Sequence, residues 1–472
     1  MRPMSTLARV ATRSDLAGRR VLVLGLARSG VAASRMLADA GAEVTAYDRR
    51  SRDDLADAVA ALGERPVTLA LAASPDEVAG IMARAELVVT SPSISPRFPT
   101  TEHWLQEAMR AAETAGIEVA SEMELFLRLT RARILAVTGT KGKTTTTAMI
   151  GSILEAAEVP HAVGGNIGMP LIERADALGP DDWAVLELSE LQLPTISRGA
   201  DVAVYTNISS DHLDRHGSVE AYRAVKARLA ELSAGRGTVV LNADDPGCID
   251  LGRALPGAKR WYGFEDRYLQ ATVEDGRIYL GTMELMPVVD MPLPGRHMLS
   301  NAMAAALGAS LAGAPADAIA KGIRGFRGVP HRLELLGEHG GVTFVNDSQA
   351  TIPAATLAAL EAYGGRGVVL IAGGRGKGLE YGELAEAMVA GCRAAVLIGE
   401  TAETLEELLA GRIGVQRAAD MADAVSQAAR LAERGDVVIL SPAAASFDMF
   451  TDYAARGDAF RAAVGALGEA GA

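Results

Sequence analysis

ILAVTGTKGKTTTT, residues Ile134 to Thr147, opens on four apolar residues (Ile134, Leu135, Ala136, Val137) that predict a buried parallel strand. The strand runs into Thr138-Gly139-Thr140-Lys141-Gly142-Lys143-Thr144, and a helix-forming stretch from Thr145 to Ala157 follows. Strand, glycine loop, Gly-Lys-Thr and helix, in that order, are the setting of a phosphate-binding loop. Gly139 and Gly142 let the backbone curl so that its N–H groups face anionic oxygens, and the helix N-terminus adds partial positive charge. Lys143 would then reach the β- and γ-phosphates of a nucleoside triphosphate, and the Thr144 hydroxyl would ligate Mg²⁺. The spacing departs from G-x-x-x-x-G-K-[ST], because Val137 occupies the first glycine position. The plain alternative is a glycine-rich turn with a solvated lysine; the strand and helix on either side favour the nucleotide.

Upstream, RVLVLGLARSG, VAASRMLADAG and AEVTAYDRR read as strand, glycine turn, helix and strand, a Rossmann-like layout. The turn is Gly25-Leu26-Ala27-Arg28-Ser29-Gly30, and Asp48 ends the second strand. Ala27 stands where a dinucleotide site needs its second glycine, which argues against NAD. A different nucleotide remains open, with Arg28, Ser29 and Gly30 near its phosphates and Asp48, Arg49 and Arg50 near its base or sugar. A bare packing turn remains open as well. Further strands are predicted at Val67–Leu71 and Leu87–Thr90, and Ser121 to Leu129 (SEMELFLRL) reads as an amphipathic helix closing the first domain at TRAR.

The middle of the chain holds predicted strands at Ala184–Leu188, Val202–Asn207 and Thr238–Asn242, a weakly alternating antiparallel addition over 259–290, and a helix from Ser300 to Leu311. RGFRGVPHR marks a second boundary. Beyond it, strands at Val342–Asn346, Val368–Ala372, Ala395–Ile398 and Val437–Leu440 alternate with helical sequence. The expectation is an α/β protein of three domains: a Rossmann-like one over 1–130, a P-loop ATPase-type one over 131–328 and a second Rossmann-like one over 329–472.

Composition narrows the function. A net charge of −13, from 46 basic and 59 acidic residues, leaves no general basic face for a nucleic acid. The longest apolar runs, such as Val21 to Ala27, are too short to span a bilayer. Cys248 and Cys392 are far apart without CxxC spacing, and read as free thiols of a reducing compartment, the cytoplasm. Residues 1–14 are basic and acid-poor, and read as a frayed tail rather than a targeting peptide.

Several polar residues stand where chemistry could use them. Asn166 lies between glycines in GGNIG, where its amide could meet a phosphate or carboxylate, or merely tolerate a left-handed turn. Glu187 ends a predicted buried strand, a suitable place for metal support. NISSDHLDRHG offers Asn207, Asp211, His212, Asp214 and His216, either as a metal ligand source or as packed and surface residues. Lys226 lies in a helix whose apolar stripe is Val219, Tyr222, Val225 and Leu229, and on its own reads as solvated.

TGTKGKTTT, GGNIG, ELSELQL, NISSDHLDRHGSVEAYRAVKARL, LNADDP, LPGRHMLSNAMAAA, GVPHRLE, VNDSQAT and GGRGKG together resemble the Mur ligases in order and spacing, over nearly the whole chain. The resemblance is greatest to the members that add D-glutamate to UDP-N-acetylmuramoyl-L-alanine. It implies a UDP-binding first domain, a central ATPase, a C-terminal domain for the amino acid, and an acyl phosphate made at the expense of ATP. It implies ATP contacts at Gly139 to Thr145 (Gly139, Thr140, Lys141, Gly142, Lys143, Thr144, Thr145), with Asn301, Arg332 and Asp347 on the adenine and ribose side. Two Mg²⁺ ions would be held around Thr144, Glu187, His212 and a carbamylated Lys226. Arg28, Ser29, Asp48, Arg49 and Arg50 fall where uridine and its diphosphate bind, and Asn166 at a substrate and γ-phosphate contact. Thr351, Lys377, Ser446 and Tyr453 fall where glutamate binds. Departures are Gln349 for a usual lysine, Met298 for asparagine, Glu190 for a small polar residue and Tyr453 for phenylalanine. The loss of a cation at Gln349 leaves L-glutamate or another amino acid open as the substrate. Folate as acceptor is an alternative within the superfamily, and a nicotinamide-dependent dehydrogenase or nucleotide-binding module is one outside it. A monomer, with no nucleic-acid or membrane partner, is expected.

Overall fold

A computed structural model describes residues 10–98, 101–209, 218–264, 269–293, 295–365, 367–376 and 378–469. Contacts divide the chain into two compact units, one ending at Phe326 and the other beginning at Arg327, inside the predicted RGFRGVPHR loop. The first unit contains two sheets and the second contains one.

The first sheet is wholly parallel, built from β1 (Arg20–Leu24), β2 (Glu43–Asp48), β3 (Val67–Leu71), β4 (Leu87–Thr90) and β5 (Glu118–Ser121) in the order β3-β2-β1-β4-β5. The order reverses beside β1, which opens a crevice at the carboxyl ends of β1 and β4. Gly25, with φ 89°, turns the chain there into the helix Arg28–Asp39. A Cβ on Gly30 would lie 1.7 Å from the Gly25 carbonyl oxygen, so only glycine lets that helix start so close to the strand. The described part of the expected frayed tail is ordered instead. Val10 is 1% exposed within the core, because apolar surface at the bottom of the sheet is there to receive it.

The second sheet has nine strands: β6 (Arg133–Thr138), β7 (His161–Gly165), β8 (Trp183–Glu187), β9 (Val202–Tyr205), β10 (Thr238–Asn242), β11 (Ala258–Gly263), β12 (Ala271–Glu274), β13 (Arg277–Leu280) and β14 (Met283–Pro287). Their order is β14-β13-β12-β11-β10-β9-β6-β8-β7, parallel except for the β12-β13-β14 meander, the predicted antiparallel addition. Alternate residues of β6 enter two different cores: Ile134 and Ala136 one, Leu135 and Val137 the other. That double burial is why the strand reads as an unbroken apolar run.

The helix Glu122–Leu129 is not amphipathic as expected; all its residues except Arg128 are buried. It is wedged where the cores of the first two sheets merge, so it has apolar neighbours on every side. Its Glu124 carboxylate accepts from Arg128 Nε at 2.7 Å and from the Ser197 N–H and hydroxyl at 2.7 and 2.6 Å. The TRAR passage is clamped. Arg198 donates to the carbonyls of Leu127, Thr130 and Ala132, at 2.9 to 3.0 Å, which welds the first two sheets into one unit.

The second unit holds β15 (Glu334–His339), β16 (Val342–Asn346), β17 (Val368–Gly373), β18 (Cys392–Ile398), β19 (Gly414–Arg417) and β20 (Val437–Leu440), ordered β15-β16-β20-β17-β18-β19. Only β15 is antiparallel. The two edge strands, β15 and β19, escaped the sequence reading because edges bury little and so carry mixed, polar residues. No described helix is long and apolar enough to cross a membrane.

Candidate active site

The loop after β6 owes its path to two glycines. At Gly139 (φ 149°) a Cβ would fall 2.0 Å from Thr206 Oγ1, and at Gly142 (φ 82°) 2.5 Å from Asn301 Oδ1. The strand β9 next door supplies the clamp. The Thr140 N–H donates to the Asn207 carbonyl at 2.9 Å, and the Lys141 N–H to Asn207 Oδ1 at 2.9 Å. The Lys141 carbonyl accepts from the Thr206 hydroxyl at 2.6 Å and from Asn207 Nδ2 at 3.0 Å. Asn207 thus clamps the loop. The Thr140 hydroxyl meets the Tyr222 hydroxyl at 2.9 Å. Held this way, the loop delivers Lys143, Thr144 and Thr145 as the first turn of the helix Lys143–Ala156, whose leading N–H groups have no intrahelical acceptor. Lys143 Nζ donates to the carbonyls of Gly139 and Thr140 at 3.0 and 2.8 Å.

Lys226 is 0% exposed, where the helix pattern taken on its own reads it as solvated. Its Nζ donates to the Gly139 carbonyl at 2.9 Å, with the Thr138 hydroxyl at 3.4 Å, and sits 5.5 Å from the centre of the Tyr222 ring. The helix Val219–Ser233 is pinned at this level by Tyr205. Its hydroxyl donates to the Lys226 carbonyl at 2.7 Å and accepts from the Ala230 N–H at 2.9 Å, the two ends of one helical i to i+4 step. Lysine thus occupies the middle of the inward face, one strand end away from the phosphate loop.

Glu187 ends β8, in register with Val137 of β6 on one side and Gly165 of β7 on the other. Asn166 leans on it twice: its N–H donates to the Glu187 carbonyl and its Nδ2 to Glu187 Oε1, both at 2.9 Å. Glu187 Oε2 is buried and has no hydrogen-bond partner among the described residues. A buried carboxylate oxygen left unpaired costs about 1–3 kcal/mol or more, a cost that a cation bound at this oxygen would offset. Glu187 and the Thr144 hydroxyl, both at strand or helix ends facing the phosphate loop, are hard oxygen donors suited to Mg²⁺. Among the described residues no three His, Cys, Asp or Glu side chains gather as a metal site; His212, with Asp211, Asp214 and His216, lies outside them.

At the crevice of the first sheet, Asp48 serves the turn. Its carboxylate accepts from the Leu26 N–H at 2.9 Å and from Arg50 Nε and Nη2 at 3.0 Å each. Burial pushes its pKa up, but these donors outweigh it and hold the carboxyl below the usual range. Arg49 is exposed and reaches Glu102 at 3.2 Å. Ser29 is half-buried in the first turn of its helix. Arg28 Nη1 donates to the Gly168 carbonyl at 3.1 Å, which brings the first-sheet turn to the loop that carries Asn166. Ser91, which sequence reasoning missed, bonds the Leu24 carbonyl across the crevice at 3.0 Å.

In the second unit, Asp347, Thr351, Ser446 and Tyr453 collect beyond the carboxyl ends of β16 and β20. Asp347 accepts from the Ser441 hydroxyl at 2.8 Å and the Leu333 N–H at 3.1 Å. Burial raises its pKa to about 6, against these two donors and the charge of Arg332, which is itself exposed. Tyr453 sets its ring edge-on to His331, centroids 6.1 Å apart. Lys377 lies outside the described residues. Two departures from the family pattern find places: Met298 is a core residue beside Ala302, and Gln349 is half-buried with its N–H on the His331 carbonyl at 2.8 Å. The clamp residues Thr206 and Tyr222 were missed because neither lies in the loop that they hold.

Residues 137–309 match the family model of the Mur ligase middle domain, and residues 331–444 that of the Mur ligase glutamate ligase domain. Over 454 residues the chain is 39% identical to UDP-N-acetylmuramoylalanine--D-glutamate ligase of Solibacter usitatus, covering 96% of this chain and 99% of that protein. It is 40% identical over 471 residues to the ligase of the same name from Myxococcus xanthus, with 96% and 99% covered. Among solved structures, UDP-N-acetylmuramate-alanine ligase from Thermotoga maritima superposes with a TM-score of 0.54 at 19% identity, over 95% of this chain and 99% of that one, a likeness of fold.

Proposed function

This chain belongs to the Mur ligase family, and from that premise we propose that the residues around the Gly139–Thr145 loop energise a substrate acid for coupling to an amine. The chain is an ATP-dependent ligase that joins D-glutamate to UDP-N-acetylmuramoyl-L-alanine in peptidoglycan precursor synthesis. An oxygen of the L-alanyl carboxylate attacks the γ-phosphorus of ATP, the bond to the bridging oxygen breaks, and ADP leaves with an acyl phosphate formed. The glutamate amine then attacks the acyl carbon, loses its proton, and inorganic phosphate departs as the amide forms.

Lys143 exchanges its two loop carbonyls for β- and γ-phosphate oxygens, and the leading N–H groups of its helix stabilise the charge of the transferring phosphoryl group. Two Mg²⁺ ions held through Thr144, Glu187, His212 and Lys226 would neutralise phosphate charge there. Carbamylation of Lys226 leaves one N–H on Nζ, enough to keep a bond to Gly139, and adds a carboxylate to the metal side. Asn166 keeps Glu187 oriented. Arg28, Ser29, Asp48, Arg49 and Arg50 receive the nucleotide-sugar; Asn301, Arg332 and Asp347 the adenosine; Thr351, Lys377, Ser446 and Tyr453 the glutamate. The reading is completed by a monomer acting in the cytoplasm.

The observation that carries this is Glu187 Oε2, buried and without a hydrogen-bond partner among the described residues, one strand over from the phosphate loop. The test is phosphate release by the pure protein, which is expected to require both the nucleotide-sugar and D-glutamate, with L-glutamate and folate inactive. Lys143→Ala should lower it by about 1000-fold or more, and full turnover by that variant would sink the loop's assignment.

A further inference from the structure

At the carboxyl end of the third sheet one buried guanidinium ties three segments together. Arg456, in the helix Tyr453–Glu469, is 1% exposed. Its Nε donates to the Ser348 hydroxyl at 2.9 Å, Nη2 to the Ser348 carbonyl at 2.8 Å and Nη1 to the Ala444 carbonyl at 3.0 Å. The Ser348 hydroxyl passes the connection on, donating to the Tyr453 carbonyl at 2.7 Å. Gly374 closes the third side; a Cβ there would come within 3.1 Å of Arg456 Nη1.

No carboxylate among the described residues lies within ion-pair distance of this group. Burial lowers its pKa to about 10, against the field of Asp448, so it stays cationic near neutral pH. Desolvating such a charge costs several kcal/mol, and neutral oxygens return only part of it. A fold that needed only a tie between loops could use a neutral side chain. A planar fork that reaches three oxygens, and also carries charge, answers a double need.

We propose that Arg456 is the positioning residue of the amino-acid subsite. It locks the Ser348–Thr351 turn, the Ala444–Ser446 turn and the Tyr453 helix start in one geometry, and its charge favours an acidic amino acid there. This rests on the reading that Thr351, Ser446 and Tyr453 receive glutamate. It also supplies a cation to a chain that has glutamine at position 349, where the family pattern has lysine.

The test compares KM for D-glutamate, ATP and the nucleotide-sugar, with kcat and Tm, in Arg456→Met, Arg456→Lys and Ser348→Ala. Arg456→Met should raise the glutamate KM by about 30-fold with the nucleotide-sugar KM held within about twofold. Arg456→Lys keeps the charge without the fork and should fall between that variant and the parent. Ser348→Ala should raise the glutamate KM by about threefold to tenfold, and less than additively when combined with Arg456→Met. An unchanged glutamate KM in all three, or an equal rise for every substrate, overturns the proposal. Should Arg456→Met fail to fold, the Lys and Ser348→Ala variants decide it by the same criteria. Ser446→Ala separates the two layers: if it leaves the glutamate KM alone, the subsite is elsewhere and the proposal falls with it. If Ser446→Ala raises that KM and the Arg456 variants do not, Arg456 alone is refuted.

Discussion

Lys143 and Lys226 converge on a single acceptor: the Gly139 carbonyl oxygen takes Nζ of the first at 3.0 Å and Nζ of the second at 2.9 Å. The two ammonium groups are therefore within about 6 Å of each other and repel by roughly 3 kcal/mol at an effective dielectric near 20. Two events relieve that repulsion: transfer of Lys143 to a triphosphate, or conversion of Lys226 into a carbamate. The second would turn repulsion into attraction, and so would also favour the cations of a phosphoryl-transfer site.

Removing the Lys226 charge should therefore separate stability from activity. Lys226→Met keeps the stem in the core, and Tm is expected to hold within a few degrees, or to rise. Phosphate release should nonetheless fall by about 100-fold or more, as should that of the parent enzyme stripped of bicarbonate. Labelling with 13C-bicarbonate should give a carbamate resonance that Lys226→Met lacks. Full activity without bicarbonate, and no such resonance, would discard the carbamate.

Asn166 and Glu187 form the other pair to probe. Asn166→Ala leaves Glu187 Oε1 without its 2.9 Å donor and frees the carboxylate to swing. The magnesium concentration for half-maximal phosphate release should rise about tenfold, with kcat down by about tenfold to 100-fold. Glu187→Gln should be worse, because an amide N–H₂ would face the cation. A magnesium dependence identical to the parent in both variants would remove Glu187 from the metal site.

Glu122 should leave a signature in stability rather than catalysis. It is 3% exposed, its Oε1 has no hydrogen-bond partner among the described residues, and burial raises its pKa from 4.5 to about 7. Between those values the folded protein holds a proton that the unfolded chain has released, so stability falls as pH rises through the window. The slope reaches at most about 1.4 kcal/mol per pH unit. Glu122→Gln has nothing to titrate, and calorimetry from about pH 5 to about pH 8 should show it flattening that decline and gaining Tm at the alkaline end. An undiminished slope in the variant would assign the decline to other groups.

Much of the frame was legible along the chain because its causes are local. A strand buried on both faces is apolar through its middle, so β6, β17 and β20 announced themselves within a residue or two. Gly139 and Gly142 adopt backbone angles that other residues resist, which made the phosphate loop readable without a partner in view. The fate of the charges was another matter. Periodicity put Val219, Tyr222, Val225 and Leu229 on the inner face of one helix, whereas the fold buries Tyr222, Lys226 and Leu229 and leaves the two valines only partly covered. The amphipathic reading of Ser121 to Leu129 fails because Glu122 and Glu124 are buried with their helix, which meets two cores at once. Arg456 gave no local sign of joining segments more than a hundred residues apart in sequence. Backbone geometry and apolar runs are set by neighbours a few residues away. Which polar group loses its water depends on the elements that close over it, and these are chosen only when distant parts of the chain meet.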